Sequence, residues 1–444
     1  MNTNRHEAGF KDRTRVAAAR STLLEAVRPH ERSERVPVAD ADGRVVAEPI
    51  TAPNPVPGYD RAAMDGYAVR ARDTFGASDR SPAVLRETTG SVGPEEAARV
   101  HTGSDLPAGA DAVVMIEQVE TVEATDEIET FDAVAEGENV GAAGEDVAEG
   151  AHLYDPGHRL RPSDLGLLKS VGLETVPVAE PPRVAVIPTG EELVQADPDP
   201  GEVIETNGLT VSRLVDRWGG DARYHDVVTD DESLLRAAIE DAIDAGADLV
   251  VTTGGSSVGE RDLLPEVIDD LGEVLVHGVA LKPGHPVCLG AVDGTPVVSL
   301  PGYPVACIVN AVQFLRPAVK RSLGATVDPH PTRRARLARK IASEPGTRTF
   351  ARVRIEEPAG EGTSAGTNGG DATPEDGRDA TPEDGRDVTP ADPDALPEAT
   401  PTRASGSGVL SSVALADGWV VVPEEREGID AGTVVEVECW EGAE

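Results

Sequence analysis

Residues 230–253 read Asp230-Asp-Glu-Ser-Leu-Leu-Arg-Ala-Ala-Ile-Glu-Asp-Ala-Ile-Asp-Ala-Gly-Ala-Asp-Leu-Val-Val-Thr-Thr253. Leu234, Leu235, Ala238, Ile239, Ala242 and Ile243 recur at helical spacing, so 230–245 is predicted helical. The following 248–253 is a short apolar run of strand length. The same rhythm extends to both sides. A buried strand is expected at 183–187 and helices at 206–218, 260–271 and 304–323, with further strands at 274–277 and 297–300. Strands alternating with helices of this length specify a doubly wound, mostly parallel α/β sheet with helices on both faces.

The flanking segments read differently. Residues 13–28 carry apolar positions at helical spacing and are predicted to form an amphipathic helix. Pro53, Pro55 and Pro57 rule out helix or central strand over 51–58, which is expected to be a rigid connector. Short alternating runs punctuated by Gly and Pro over about 65–150 predict a β-rich domain, and 332–357 with 409–438 also read as β. Between these last two lies a low-complexity stretch, about 358–402, with a tandem repeat, Ala372-Thr-Pro-Glu-Asp-Gly-Arg-Asp379 followed by 380–387. A repeat of eight with Pro and Gly in each copy has no apolar face to stack, so a disordered acidic insertion in a small β-barrel is expected. A solvated, tolerated insertion explains it more simply than a partner-binding role.

At 444 residues the chain has room for about three domains. Forty Lys and Arg stand against 80 Asp and Glu, a formal charge of −40. That balance argues against nucleic acid as a partner, because a phosphate backbone must be met by clustered cations. Only Lys11, Lys169, Lys282, Lys320 and Lys340 are lysines; the other cations are Arg. Few lysines and abundant carboxylates suit a protein hydrated in concentrated salt, where the Debye length falls to about 3 Å at 1 M. Cys288, Cys307 and Cys439 are too few and too scattered for a disulfide framework or a zinc knuckle. The polar start MNTNRHEAGFKDRTR lacks the apolar core of a secretory signal, and no run approaches the roughly 20 residues that span a bilayer. A cytoplasmic protein with no membrane partner is expected.

No lysine follows a glycine, which excludes the G-x-x-x-x-G-K-[ST] phosphate loop; no strand is followed by G-x-G-x-x-G; and no His-x-x-x-His pair offers zinc ligands. The strongest local signal is Thr252-Thr-Gly-Gly-Ser-Ser-Val-Gly-Glu-Arg-Asp262. It places Gly254 and Gly255 at the carboxyl end of a strand, where open parallel sheets bind ligands, with Ser256 and Ser257 ahead of a helix whose dipole favours anions. A plain strand–helix turn explains it equally well. Gly255 to Gly259 also matches the G-x-S-x-G nucleophile elbow, which would make Ser257 a nucleophile with Asp262 or Asp293 and His330 as partners. Val297-Val-Ser-Leu-Pro-Gly-Tyr-Pro304 is a second strand–turn–helix junction, with Pro304 suited to the first helical position. Lys282, in Leu281-Lys-Pro-Gly-His-Pro286, suggests an anion contact or else a surface turn. Taken alone, Asp230 is better explained as a helix N-cap, and Asp262 and Glu192 as solvated carboxylates.

Together these segments resemble the molybdopterin molybdenumtransferases, the MoeA family that includes the gephyrin E domain. The resemblance rests on MDGYA (64–68), HTG with LPAGADAVV (101–114), GED (144–146), PTGEEL (188–193), TNG (206–208), TTGGSSVGERD (252–262), KPG (282–284) and LPGYPVA (300–306), in that order. It implies an elongated homodimer of four domains. These are a helical dimerisation domain (10–50 with 147–180), a β-rich inserted domain (51–146), an α/β molybdopterin-binding domain (181–326) and a C-terminal β-barrel (327–444) carrying the acidic insertion. The family's cleft is shared between subunits. Its reaction takes adenylylated molybdopterin and molybdate, releases AMP and inserts the metal into the dithiolene, assisted by Mg²⁺; an adenylyltransferase would supply the substrate. By resemblance Asp230 and Asp262 would hold the metal ion, since a hard cation takes oxygen ligands. Asp65, Thr102, Asp146, Glu192 and Lys282 would join them in catalysis. Gly254, Gly255, Ser256, Ser257, Gly259, His285, Pro301, Gly302, Arg348 and Ser407 would bind substrate. Three departures remove positive charge: Gly141-Ala142-Ala143 replaces a basic run, Gly278 a basic residue, and His285 a second lysine. They leave tungstate open as the oxyanion. A serine hydrolase and a non-catalytic pterin-binding scaffold are the competing functions.

Overall fold

The computed structural model describes residues 13–122, 124–255, 263–357, 396–402 and 408–441. The chain divides into two compact units, one of residues 31–180 and one formed by residues 1–30 with 181–444.

At the centre of the second unit is a six-stranded sheet in the order Asp221–Tyr224, Arg183–Ile187, Leu249–Thr253, Thr295–Leu300, Cys288–Val292, Gly272–His277. The first four strands are parallel. Leu249 to Thr253 is buried throughout, as a strand covered on both faces must be. Helix Glu232–Asp244 buries Leu235, Ile239 and Ala242 against one face. Leu234, read from spacing as part of the same apolar stripe, is exposed: it sits in the first turn, about 100° from Leu235. On the other face the Asn207–Arg217 helix contributes Val211, Leu214 and Val215. The expected helix at 304–323 is built as Pro304–Asn310, a π turn over Ala311–Leu315, and Arg316–Ser322.

The far edge of the sheet departs from a purely parallel plan. Cys288–Val292 runs antiparallel to Thr295–Leu300, and Gly272–His277 antiparallel to Cys288–Val292. The cause is local: Asp293 and Gly294, with φ 49° and 81°, form a two-residue reversal between the paired Val292 and Thr295.

The N-terminal helix, Val16–Ala26, is expected from the resemblance to belong to a dimerisation region with 147–180. Its buried Val16, Ala19 and Leu23 share one core with Val184, Val251, Val298 and Phe314 of the α/β layer. Arg20 fixes the arrangement by donating from Nε to Gln313 O at 2.9 Å.

The C-terminal strands close on themselves. Arg348–Glu356 pairs with Glu398–Pro401, that strand with Thr332–Leu337, that with Val434–Glu438, that with Gly418–Val422, and the last returns to Arg348–Glu356. This is a small barrel-like sheet, with Trp419 edge-on to Phe350 at 5.3 Å and stacked on Trp440 at 5.0 Å. Glu398–Pro401 corrects the sequence reading, which placed it inside the acidic insertion. Ala399 is fully buried there, and Glu356 pairs with Glu398. The tandem repeat itself lies outside the described residues.

In the unit of residues 31–180, a six-stranded sheet runs Ala112–Met115, Gly66–Val69, Glu96–Val100, Ala83–Thr88, Glu127–Thr130, Val119–Val122. A separate antiparallel pair, Ser33–Pro37 with Thr175–Ala179, packs with the Pro162–Ser170 helix around Leu160 and Leu168. Among the described residues no helix is long and apolar enough to cross a membrane.

Candidate active site

Three parallel strands end side by side, and their carboxyl ends carry the turns Pro188-Thr189-Gly190, Gly254-Gly255 and Pro301-Gly302. The turns are packed to backbone contact. A Cβ on Gly254 would lie 2.2 Å from Thr189 O, which no side chain tolerates, and one on Gly302 would lie 3.7 Å from Gly254 Cα. Above them opens a cleft of about 1310 Å³, walled on its other side by the barrel. Pockets that bury drug-sized ligands run to roughly 1,000 Å³, so this one admits a larger, extended molecule.

The bridge between the two walls is the Lys-Pro-Gly segment. Leu281–Lys282 leaves the α/β layer and pairs in parallel with Arg348 and Thr349 at the barrel edge. Asn310, fully buried, then clamps the turn by donating from Nδ2 to Gly284 O at 2.9 Å and to Ala306 O at 2.8 Å. Gly284 has φ +109°, and a Cβ there would meet Asn310 Nδ2 at 2.1 Å, so glycine is required twice over. Lys282 is thereby held at the cleft, where Nζ pairs with Glu344 Oε1 at 3.0 Å. The hydrogen bond and charge of Lys282 hold the Glu344 carboxyl below its usual range.

Asp230 is not the helix N-cap that sequence alone favoured. That role falls to Asp231, whose carboxylate accepts from Ser233 N at 2.9 Å and Leu234 N at 3.1 Å. Asp230 lines the cleft with Glu192 instead. Burial, then the negative charges of Glu192 and Glu191, push its carboxyl above the usual range. His285 also lines the cleft, its imidazole held low chiefly by burial and then by Arg13. Of the substrate-binding candidates, Gly254, Gly255, His285, Pro301 and Gly302 are therefore brought together with Glu192, Asp230 and Lys282. Arg348 is adjacent, but its guanidinium is committed to Glu424, with Nε and Nη2 at 3.1 and 3.0 Å from Oε2. Ser256, Ser257, Gly259, Asp262 and Ser407 lie outside the described residues.

Asp65, Thr102 and Asp146 belong to the unit of residues 31–180. There the Asp65 carboxylate accepts from Thr102 N at 2.7 Å and Thr102 Oγ1 at 2.8 Å, which hold it below its usual range. The Asp146 amide donates to Val56 O at 3.0 Å. Arg61 lies beside Gly141 and pairs with Glu145 at 2.9 Å, so a cation stands next to Gly141-Ala142-Ala143.

Sequence reasoning missed Arg13, Lys340 and Arg352, all in the cleft wall. The two arginines carry no signal among 35. Lys340 does: the scarcity of lysine that singled out Lys282 applies to it equally. Its Nζ pairs with Asp430 at 3.1 Å. The cleft thus combines cations for an anionic ligand, glycine-bearing turns, and the Asp230 carboxylate beside Glu192. Among the described residues no three acidic, His or Cys side chains form a complete metal cage.

Comparison with known proteins agrees over most of the chain. Residues 14–172 match the model of the MoeA N-terminal region (domain I and II), 185–321 that described as "Probable molybdopterin binding domain", and 387–440 the MoeA C-terminal region (domain IV). A molybdopterin molybdenumtransferase of Bacillus subtilis is 30% identical over 420 residues, covering 91% of this chain and 89% of the relative. Molybdopterin molybdenumtransferase 2 of Mycobacterium tuberculosis is 34% identical over 349 residues, covering 74% and 85%. The crystal structure of a molybdopterin biosynthesis MoeA protein from Pyrococcus horikosii superposes with a TM-score of 0.78 at 34% identity, covering 97% of this chain and 100% of the other.

Proposed function

The chain belongs to the MoeA family, and from that premise we propose that it is a molybdopterin molybdenumtransferase, inserting molybdenum from molybdate into adenylylated molybdopterin with release of AMP. The observation that carries this reading is the cleft where three glycine-bearing strand ends face Lys282, itself annealed to the barrel. Closely packed turns let backbone amides approach phosphate oxygens, and Lys282, Arg13 and Lys340 supply the positive charge. The family match does not favour a serine hydrolase built on Ser257.

The proposal extends to Mg²⁺. Magnesium takes one or two carboxylates and completes its shell with substrate phosphate and water, so a full protein cage is not required. Asp230 suits it, because burial and the neighbouring Glu192 and Glu191 make its negative charge costly without a counterion. Asp230 with Asp262 would hold the ion, and its charge would offset that of the phosphates. Asp65, Thr102, Asp146 and Glu192 complete the proposed catalytic set. The remaining elements are a cytoplasmic homodimer adapted to salt, fed by an adenylyltransferase, with tungstate as the other candidate oxyanion.

The test mixes the protein in high-potassium buffer with adenylylated molybdopterin, Mg²⁺ and either molybdate or tungstate, and measures AMP. Oxyanion-dependent release that falls at least tenfold in Asp230→Ala supports the reading. Pterin binding without release identifies a carrier or scaffold. Absence of pterin binding removes the proposal altogether.

A further inference from the structure

We propose that Tyr303 is a specificity-determining residue of the cleft, stacking on a planar heteroaromatic ring of the substrate. The inference rests on the functional reading above. The chain is poor in aromatics, with five Tyr, five Phe and three Trp in 444 residues. Two of them line the cleft among the described residues: Phe350, which is buried in the core shared with the α/β layer, and Tyr303, which is 64% exposed. A ring left in water at the lip of a ligand cleft is apolar surface that a flat partner would cover.

Its mounting is rigid. Tyr303 precedes the Pro304–Asn310 helix and accepts that helix's first backbone hydrogen bond, from Cys307 N at 2.8 Å. The residue before it is pinned as well, because Asn207 Nδ2 donates to Gly302 O at 2.7 Å. Gly302 and Gly254 line the same cleft. A Cβ on Gly408 would lie 3.4 Å from Tyr303 Cδ1, so that glycine lets the chain pass against the ring edge. The result is an exposed aromatic side chain at the cleft, carried by a backbone pinned on both sides. Such a plane reads a π-face rather than a hydrogen-bond pattern, so both adenine and pterin are of the right chemical class. A ring on a rigid turn also loses little freedom on binding.

The experiment titrates wild type, Tyr303→Ala and Tyr303→Phe with AMP and, separately, with nucleotide-free molybdopterin, following heat of binding. Tyr303→Ala is expected to weaken one of the two by roughly tenfold or more while Tyr303→Phe stays within about twofold. The ligand that weakens identifies the stacked ring. With the full substrate, KM rises in Tyr303→Ala and kcat is retained. Unchanged binding of both ligands by Tyr303→Ala overturns the inference and leaves the functional reading standing. Loss in Tyr303→Phe equal to that in Tyr303→Ala assigns the effect to the hydroxyl and overturns stacking. Binding of neither ligand by wild type overturns the functional reading and this inference with it.

Discussion

Asp230 and Asp231 are neighbours whose carboxylates meet opposite surroundings. Asp231 accepts hydrogen bonds from Ser233 and Leu234 at the start of a helix and is held below its usual range. Its stabilising contribution is present above the ordinary aspartate pKa and is lost as pH falls through the lowered one. Asp231→Ala is expected to lower Tm by about 2–4 °C at neutral pH, with ligand binding in the cleft unchanged. Asp230 is the reverse case. Its raised pKa means that ionisation is harder in the folded chain than in the unfolded one. Stability is full below the unfolded pKa and declines as pH rises through the folded value. Asp230→Asn is therefore expected to raise Tm at neutral pH, with no gain below about pH 4, while AMP release falls tenfold or more. Thermal unfolding of the two proteins across pH checks the first part; an equal or lower Tm for the variant at pH 7 refutes it. A gain in stability with a loss of activity is what a site that concentrates like charge for function should show.

Among the elements, the legible ones were those whose burial repeats with a period. The Glu232–Asp244 helix and the Leu249–Thr253 strand can be read from Leu235, Ile239, Ala242 and the run Leu249 to Val251, because a two-sided core imposes those spacings. Several strands were not read, among them the mostly exposed edge strand Asp221–Tyr224, and two others show why. Cys288–Val292 has a glycine inside it and no alternation, yet Asp293-Gly294 was a hairpin signal that the expectation of parallel strands hid. Glu398–Pro401 was lost because its Glu, Thr and Pro match the acidic insertion and only the barrel identifies Ala399 as core. The site divided similarly: glycines at strand ends were legible, but the separate roles of Asp230 and Asp231 depend on one residue of helix register. The strand also fixes where the insertion can be cut. Since Glu356 pairs with Glu398, removing 360–395 leaves a short hairpin loop, whereas removing 360–400 takes out a barrel strand. The shorter deletion is expected to keep Tm within about 2 °C of wild type and to retain AMP release. The longer one is expected to lose the barrel's cooperative unfolding. Equal damage from both would mean that the acidic segment itself supports the fold.

At the scale of the whole molecule, the charge sets the conditions under which the site can work. The chain carries −40, and many of its arginines are already engaged with carboxylates, as in the pairs of Arg32 with Glu180, Arg44 with Glu34 and Arg348 with Glu424. The excess carboxylates repel one another in dilute buffer, and the same field opposes approach of an anionic substrate. At about 1 M salt the Debye length is near 3 Å, shorter than most distances between surface charges, so both penalties shrink together. Lys282 and Lys340 each sit about 3 Å from a carboxylate on exposed side chains, so only contacts this short, no longer than the Debye length, are screened less than the long-range field. Substrate recognition should therefore survive salt that abolishes the long-range repulsion, even with Gly141-Ala142-Ala143, Gly278 and His285 where the family resemblance implies basic residues. Tm is expected to rise by at least about 5 °C between 0.1 and 2 M KCl. KM for the anionic substrate should fall, or stay constant, over the same range. In a cleft that relies on long-range attraction, KM would instead climb steeply with salt. Measuring Tm and KM on one salt series separates the cases: a flat Tm refutes salt adaptation of the fold, and a steeply rising KM refutes recognition by short-range contacts.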